Sequence, residues 1–545
     1  MKFFPDLQAS DGKPCNHCSR KRSFSAACKL KTRLRSAANQ IARMCSAWMT
    51  HAHSHMSFTN CEPTSTFFPF FFFQVIYISH REISVANLQV TYVISKPTTT
   101  SQKILLMKMV TVAEDSILPD WFKDLNATFN FDQSNQQRRN RTIKLSIHNT
   151  LQQTTIYNVI GTITGREEPD RYVFLGNHRD SWVYGAADAT TGMSVLKETG
   201  RVLGRLVKEG GWRPRRTIKL CSFGGEEFGL IGSVEWMDEN SLIFKDRGVA
   251  YLNTDVPVQG KYSLLAQTDP LLADLIYKWT KLVKVPVDDE KYESMFDVML
   301  KRGPTPLVPG EPQVAPFNFA SDYIPFYFMA GIPSADFSYF YNYSNSSGWR
   351  LYPSYHTQED TFYWIEKFAD PKFKIHRAMT LLMGGMLIDL ADSQLIPLNV
   401  SRLKNSLHEA YDKLIKIKTA VMNKTLVQEG VAAVNRSLVE FSRQCDLFAK
   451  ALSEAKSSEN VHSLTLRLLN NQLNQLGKAF IHPRMKNKYS VVFQHVAHSD
   501  NFAGVDLTAK KKTNDTAEVE EQLSIVSLAI STAAKVLKPT KIRPL

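Results

Sequence analysis

From Ile156 onward, short apolar and β-branched runs alternate with longer stretches whose apolar residues recur at helical spacing. This alternation is typical of an α/β fold with a doubly wound, mostly parallel sheet, in which each helix crosses back over the sheet. The clearest helical stretch lies at 193–207. The predicted strands are 157–163, 172–175, 217–222, 249–253 and 332–337.

The pattern changes on either side of this region. After Leu398, four amphipathic segments follow one another at 402–422, 429–455, 461–478 and 517–537. They predict a C-terminal helical bundle, because apolar stripes of this kind are buried only against one another or against a partner. We therefore divide the chain into a basic head of weak pattern at 1–116, a segment at 117–153, an α/β domain at 154–398 and a helical domain at 399–545.

Positive charge and cysteine are concentrated at the start of the chain. The 545 residues carry a formal net charge of +14. Residues 1–56 hold ten Lys and Arg against two Asp and Glu, which is +8 of that total. A nucleic-acid-binding body is not expected, because it would need basic residues gathered on one face. Five of the seven cysteines precede residue 62, so no disulfide framework is expected in the body either.

Eight Asn-x-Ser/Thr sequons, where composition alone would give roughly three, favour passage through the secretory pathway. The longest apolar run, at 67–78, contains Pro69 and is shorter than the ~20 residues of a membrane-spanning helix. We therefore expect a location in the secretory-pathway lumen or on the extracellular face of the plasma membrane, with no evident anchor in this sequence. The sequons begin at Asn126, Asn140, Asn342, Asn345, Asn399, Asn423, Asn435 and Asn514.

Side chains that can bind metals follow several of the predicted strands. Open α/β sheets bind ligands at the carboxyl ends of their strands, so these side chains are expected to meet. Two imidazoles with several carboxylates suit a pair of divalent ions about 3.5 to 4 Å apart, and zinc is the first candidate. Taken singly, each residue also fits a helix cap, a packing group or a solvated acid. The residues are His178, Asp180, Asp188, Glu226, Glu227, Asp255 and His356.

Longer motifs surround these residues: His178-Arg-Asp-Ser-Trp, Glu226-Glu-Phe-Gly-Leu-Ile-Gly-Ser, Asn253-Thr-Asp, Tyr355-His and Gly211-Trp-Arg-Pro-Arg-Arg-Thr. From about residue 120 to the end, the chain resembles the glutamate carboxypeptidase II family, the N-acetylated-alpha-linked acidic dipeptidases. The resemblance implies a remnant of an apical, protease-associated domain at 117–153, a di-zinc peptidase domain at 154–398 and a helical dimerisation domain at 399–545. A homodimer acting on small peptides is therefore expected, with no nucleic-acid partner.

The resemblance also implies a place for each ligand of the metals. His178 and Asp255 would bind one zinc ion, and Glu227 and His356 the other. Asp188 would bridge them, so two zinc ions per chain are expected.

Three further residues would serve the hydrolysis of a peptide bond, as the resemblance implies. Glu226 would move a proton from water to the leaving amine, Tyr355 would hydrogen-bond the tetrahedral intermediate, and the carboxylate of Asp180 would orient His178. The alternative is a non-enzymatic receptor or scaffold, because the transferrin receptor resembles the same family and has lost the ligands. The full ligand set favours the exopeptidase.

The substrate pocket departs from the family pattern. Asp336 and Ser338 stand where glutamate-selective members carry arginines, Leu265 stands at a third arginine position, and Asn501 replaces a lysine that grips a carboxylate. Asp336 would repel an acidic side chain in a poorly hydrated pocket. We expect a carboxypeptidase or dipeptidase without glutamate selectivity, or an aminopeptidase whose substrate amino group binds Asp336. Ser321 is a further candidate for substrate contact.

Glu235 and Asp238 match acids that hold a structural calcium ion in the family. The alternative is two exposed acids in the first turns of a helix, where negative charge is favourable. The family's first peptidase strands precede the start of the resemblance, and residues 1–116 do not resemble them.

Overall fold

The computed structural model describes the α/β region and most of the C-terminal helices. The described residues are 153–287, 292–303, 308–317, 321–341, 351–417, 419, 421–458, 461–484, 495–497, 502–510 and 516–539. The head at 1–116 lies outside them, as does the segment 117–153 except for its last residue. Asn501, a substrate candidate, also lies outside the described residues.

Six strands form one sheet in the order β1-β3-β2-β4-β6-β5. The four central strands run parallel to one another, whereas β1 and β5 pair antiparallel at the two edges. The prediction of a mostly parallel α/β sheet is therefore confirmed. The strands are β1 Val159–Ile163, β2 Glu168–His178, β3 Arg216–Phe223, β4 Gly248–Asn253, β5 Ser263–Thr268 and β6 Ser334–Phe340.

Five strands lie where the hydrophobic pattern predicts them, but their ends differ. β2 continues past the predicted end at residue 175, so His178 is its last residue and not part of a loop. β5 was not predicted from the sequence. It pairs with β6 from Ser263 to Thr268, and this pairing, which no local pattern reveals, makes the segment a strand.

Helices cover both faces of the sheet. On one face, α1 buries Val195 and Leu203 in the same cluster as Val173 of β2. On the other face, Phe174 packs edge to face against Phe244, with ring centroids 5.2 Å apart. Successive side chains of a strand point to opposite faces, so both must be covered when the strand is apolar throughout. The helices up to residue 392 are α1 Thr190–Lys208, α2 Ile231–Glu239, α3 Ser241–Arg247, α4 Ala273–Leu282, α5 Met295–Arg302, α6 Phe362–Trp364 and α7 Lys374–Asp392.

The described chain after Leu398 is mostly helical. The predicted helix at 402–422 ends earlier, at Leu414, because its buried stripe ends there and Ile415 is 54% exposed. In the part of the chain described, none of the helices has the length and apolar composition that a membrane crossing requires. The helices are α8 Val400–Leu414, α9 Thr425–Ser457, α10 Ser463–Leu476, α11 Ala503–Ala509 and α12 Thr516–Leu537.

Candidate metal centre

The carboxyl ends of three neighbouring strands meet at one edge of the sheet. β2 lies between β3 and β4, and His178 is its last residue. Glu226 and Glu227 follow the end of β3, and Asp255 follows Asn253, the last residue of β4. The four side chains therefore reach the edge at which open α/β sheets bind their ligands.

His178, Asp188 and Asp255 form a first group of ligand atoms. His178 Nε2 lies 2.7 Å from Asp255 Oδ1 and 3.2 Å from Asp188 Oδ1. The three donor atoms all lie within 4.8 Å of one another, and His178 and Asp188 are buried. One imidazole and two carboxylates at this spacing can share a metal ion.

Asp188, Glu227 and His356 form a second group of the same composition. His356 Nε2 lies 3.1 Å from Asp188 Oδ2 and 3.3 Å from Glu227 Oε2. The two oxygens of Asp188 thus face different imidazoles, Oδ1 toward His178 and Oδ2 toward His356. A carboxylate placed in this way is suited to bridge two metal ions.

Asp180 contacts the His178 imidazole more closely through its main-chain carbonyl oxygen than through its carboxylate. His178 Nδ1 lies 3.0 Å from the carbonyl oxygen of Asp180 but 3.7 Å from the carboxylate oxygen Oδ1. A carbonyl oxygen only accepts hydrogen bonds, so Nδ1 carries a proton and Nε2 is the ring nitrogen that faces the ligand group. The carboxylate, expected to orient the imidazole, lies farther from Nδ1 than the carbonyl oxygen of the same residue does.

The carboxylate of Asp180 instead holds the acidic pair that follows β3. Its Oδ1 accepts a hydrogen bond from the amide of Glu226 and its Oδ2 one from the amide of Glu227, both at 3.1 Å. Gly225, which precedes the pair, has a φ of +75°, and only glycine adopts this conformation without strain. Asp180 and Gly225 together fix the backbone from which the two carboxylates project.

Glu226 and Tyr355 differ from the ligands beside them. Among the described residues, no hydrogen bond reaches the carboxylate of Glu226, and burial raises its pKa well above the usual value. The Tyr355 ring stacks on the His356 imidazole with centroids 3.7 Å apart, and burial raises the pKa of its hydroxyl. His356 has a φ of +57°, a left-handed conformation that costs energy in non-glycine residues and is often found at functional sites.

The imidazoles and carboxylates of the two groups shift one another's pKa values. Burial disfavours charge on His178, but the charge of Asp255 and the nearby carboxylates of Asp180 and Asp188 raise its pKa well above the usual value. Burial likewise opposes charge on Asp188, yet hydrogen bonds to both imidazoles lower its pKa to about 2. Metal binding needs neutral imidazoles and ionised carboxylates, so a divalent cation would compete with these protons.

The substrate candidates on β6 contact residues that flank the metal-binding segment after β4. Asp336 Oδ1 accepts a hydrogen bond from Asn253 Nδ2 at 2.8 Å, and the hydroxyl of Ser338 donates to the carbonyl oxygen of Val256 at 2.7 Å. Asn253 Nδ2 also donates to Ser321 Oγ at 2.8 Å. Asp336, Ser338 and Ser321 are therefore neighbours of the metal centre.

The three positions at which arginines are missing lie together on the sheet. Leu265 of β5 pairs with Ser338 of β6, and Gln267 pairs with Asp336. All four of these residues are half-buried. The positions that lack the arginines of the family pattern thus lie on one surface of the sheet next to the metal centre.

Two buried acids near the centre were not predicted from the sequence. Asp360 accepts hydrogen bonds from the amides of Ala187 and Asp188. Asp322 is fully buried, and burial raises its pKa to about 7. Their only sequence signal is position, since Asp360 follows His356 by four residues and Asp322 follows Ser321 directly.

Glu235 and Asp238 are exposed on α2. Neither belongs to the two metal-binding groups found among the described residues. This position agrees with the alternative of exposed acids on a helix.

Three curated proteins illustrate what the chain is similar to. An aminopeptidase NAALADL1 from Mus musculus is 38% identical over 73% of this chain and 54% of its own length. A probable glutamate carboxypeptidase LAMP1 from Arabidopsis thaliana is 35% identical over 70% and 54%. A glutamate carboxypeptidase 2 homolog from Caenorhabditis elegans is 29% identical over 73% and 54%. The chain spans about half the length of these relatives.

The chain forms an α/β domain with two groups of side chains, sharing Asp188, that could each hold a metal ion at the carboxyl ends of its strands. Residues 158–374 match the sequence profile described as peptidase family M28. All five ligand candidates lie within this match. This part of the chain is a domain of peptidase family M28, and the relatives confirm the family resemblance predicted from the motifs.

Proposed function

We propose that the chain is a zinc-dependent exopeptidase that hydrolyses small peptides. The observation that carries the proposal is the sharing of Asp188 by two groups of one imidazole and two carboxylates. Nitrogen and oxygen donors of this kind suit zinc in catalytic sites. His178 and Asp255 would hold one ion, Glu227 and His356 the other, and Asp188 both.

When bound, the zinc ions would acidify a water molecule and polarise the peptide carbonyl. The proton transfers would belong to Glu226, which takes a proton from the attacking water and delivers it to the leaving amine. Tyr355 would donate a hydrogen bond to the developing oxyanion, since its raised pKa keeps the hydroxyl protonated.

The receptor-like alternative depends on loss of the metal ligands, and this chain retains all five. The names of the relatives include both an aminopeptidase and glutamate carboxypeptidases, which supports exopeptidase chemistry from either end of a peptide.

A luminal or extracellular location is part of the proposal. The exposure of the sequon asparagine Asn423 supports it.

Selectivity is proposed to follow from Asp336. Its carboxylate lies beside Asn253 and the metal-binding segment after β4, and Leu265 and Ser338 next to it carry no charge. An ionised carboxylate at this half-buried position disfavours an acidic substrate group and favours an ammonium group. We propose neutral or basic substrates, including peptides with a free α-amino group.

Hydrolysis of a dipeptide panel by the purified chain tests both parts of the proposal. We expect Leu, Ala or Lys at the C-terminal position to be cleaved at least ~10-fold faster than Glu, because juxtaposed like charges at a binding surface are strongly unfavourable. A chelator should abolish hydrolysis, and added zinc should restore it. In the matched variant Asp336→Asn the discrimination against Glu should shrink. Faster cleavage of Glu by the wild-type chain would contradict the selectivity, and hydrolysis insensitive to chelators would contradict the metal mechanism.

We also propose that the C-terminal helices form a homodimer interface. Four large apolar side chains are exposed on α9 and α12 of the single chain, and a partner would cover them. These are Leu426, Val439, Leu447 and Leu528. Sedimentation at micromolar concentration should give the mass of a dimer, and a monomeric value would contradict this proposal.

A further inference from the structure

The loop that carries Asp188 is held by a single residue from a distant part of the chain. The amides of Ala187 and Asp188 donate to Oδ1 and Oδ2 of Asp360 at 2.8 and 3.1 Å. The amide of Ala186 donates to the carbonyl oxygen of Asp360 at 3.1 Å. Three consecutive main-chain amides thus donate hydrogen bonds to one residue. Ala189, at the start of α1, has no side chain that could hold the loop by a hydrogen bond.

Asp360 is itself fixed in the segment that carries His356. It is 3% exposed, its amide donates to the carbonyl oxygen of Thr357, and the hydroxyl of Tyr352 donates to its Oδ2 at 3.1 Å. The carboxylate therefore connects two segments of the metal centre, the one with Asp188 and the one with His356. Asp360 is not a member of either ligand group.

We propose that Asp360 is a positioning residue for the shared ligand Asp188. Asp188 has to direct one oxygen to each group, which requires its backbone to stay within a few tenths of an ångström of one place. Asp360 meets this requirement through hydrogen bonds to the main chain of 186–188. The inference rests on the proposed two-metal site.

Zinc affinity of the full-length chain tests the inference, measured by competition with a chelator at temperatures well below unfolding. In Asp360→Asn, the side chain keeps one acceptor oxygen and gains an NH₂ group. That NH₂ group faces the main-chain N–H of Ala187 or Asp188, and two donors cannot form a hydrogen bond with each other. We expect zinc affinity to fall by about 10- to 100-fold, the usual effect of removing a group that orients metal ligands. The kcat should fall while KM changes little. The matched control Glu359→Gln alters the adjacent exposed carboxyl group and should leave both quantities unchanged.

The outcomes separate positioning from simple stabilisation. A lower melting temperature with wild-type zinc affinity would overturn the inference, because a merely structural residue changes only the former. If Asp360→Asn fails to fold, Tyr352→Phe takes its place, since it removes one hydrogen bond to Oδ2. A weaker zinc affinity of that variant supports the inference, and an unchanged one overturns it. Absence of zinc binding by the wild-type chain would overturn the proposed function as well, whereas equal affinities would overturn the inference alone.

Discussion

Replacement of Glu226 by Gln is expected to leave zinc bound and to lower kcat by at least ~10²-fold, the low end for loss of a general base. The main-chain amide of residue 226 would still donate to Asp180, so the backbone of the acidic pair should stay in place. The side chain would keep its shape but could no longer take a proton from water. Zinc content and steady-state rates on a neutral dipeptide are the measurements.

Glu239→Gln is the matched control, because Glu239 is exposed at the end of α2 and belongs to neither ligand group. It should retain the wild-type rate. If Glu226→Gln kept that rate too, another group would have to move the proton. If it lost zinc together with activity, Glu226 would be a ligand and the two acids of the pair would have to exchange roles.

The central strands were predictable from the sequence because their apolar runs are continuous. All six residues of β4 are buried, and such a run predicts a strand covered on both faces. β5 was not predictable in this way, because Ser263–Thr268 is an edge strand that depends on β6 for its hydrogen bonds. The ends of strands also depend on their neighbours. β2 reaches His178 because β3 pairs with it up to that residue.

The metal ligands were predictable because few types of side chain bind divalent metal ions, and histidine, aspartate and glutamate are among them. Imidazoles and carboxylates that follow neighbouring parallel strands must approach one another at the same edge of the sheet. The contacts around them depend on geometry finer than residue identity. His178 selects the carbonyl oxygen of Asp180 at 3.0 Å over its carboxylate at 3.7 Å, and no sequence pattern distinguishes these two acceptors.

Asp360 shows a second reason why some site residues could not be predicted from the sequence. Its partners are the main-chain amides of 186–188, and every residue except proline offers such an amide. A carboxylate that accepts hydrogen bonds from main-chain amides therefore has no partner side chain that a sequence pattern could reveal. Only the folded chain shows that this carboxylate belongs to the metal centre while the adjacent Glu359 is exposed.

Replacement of Asp188 by Asn is expected to disrupt both metal groups at once. Asp188 is the one residue common to them; burial opposes its charged form, but hydrogen bonds to His178 and His356 favour it and lower its pKa. The neutral amide offers one oxygen and an NH₂ that would face an imidazole nitrogen or a cation. Both zinc ions should be lost or strongly weakened in binding, and kcat should fall by more than ~10²-fold, the upper range for residues that act only through a ligand.

The matched control is Asp412→Asn, since Asp412 is exposed on α8 and far along the chain from both groups. Zinc content by atomic emission and kcat on the same dipeptide should remain at wild-type values. Loss of one ion with the other retained would mean that the groups bind independently, so that one of the pairs His178–Asp255 and Glu227–His356 suffices without the shared carboxylate. Retention of both ions and of the rate in Asp188→Asn would mean that Asp188 bridges nothing, and the two-metal mechanism would fail at its central residue.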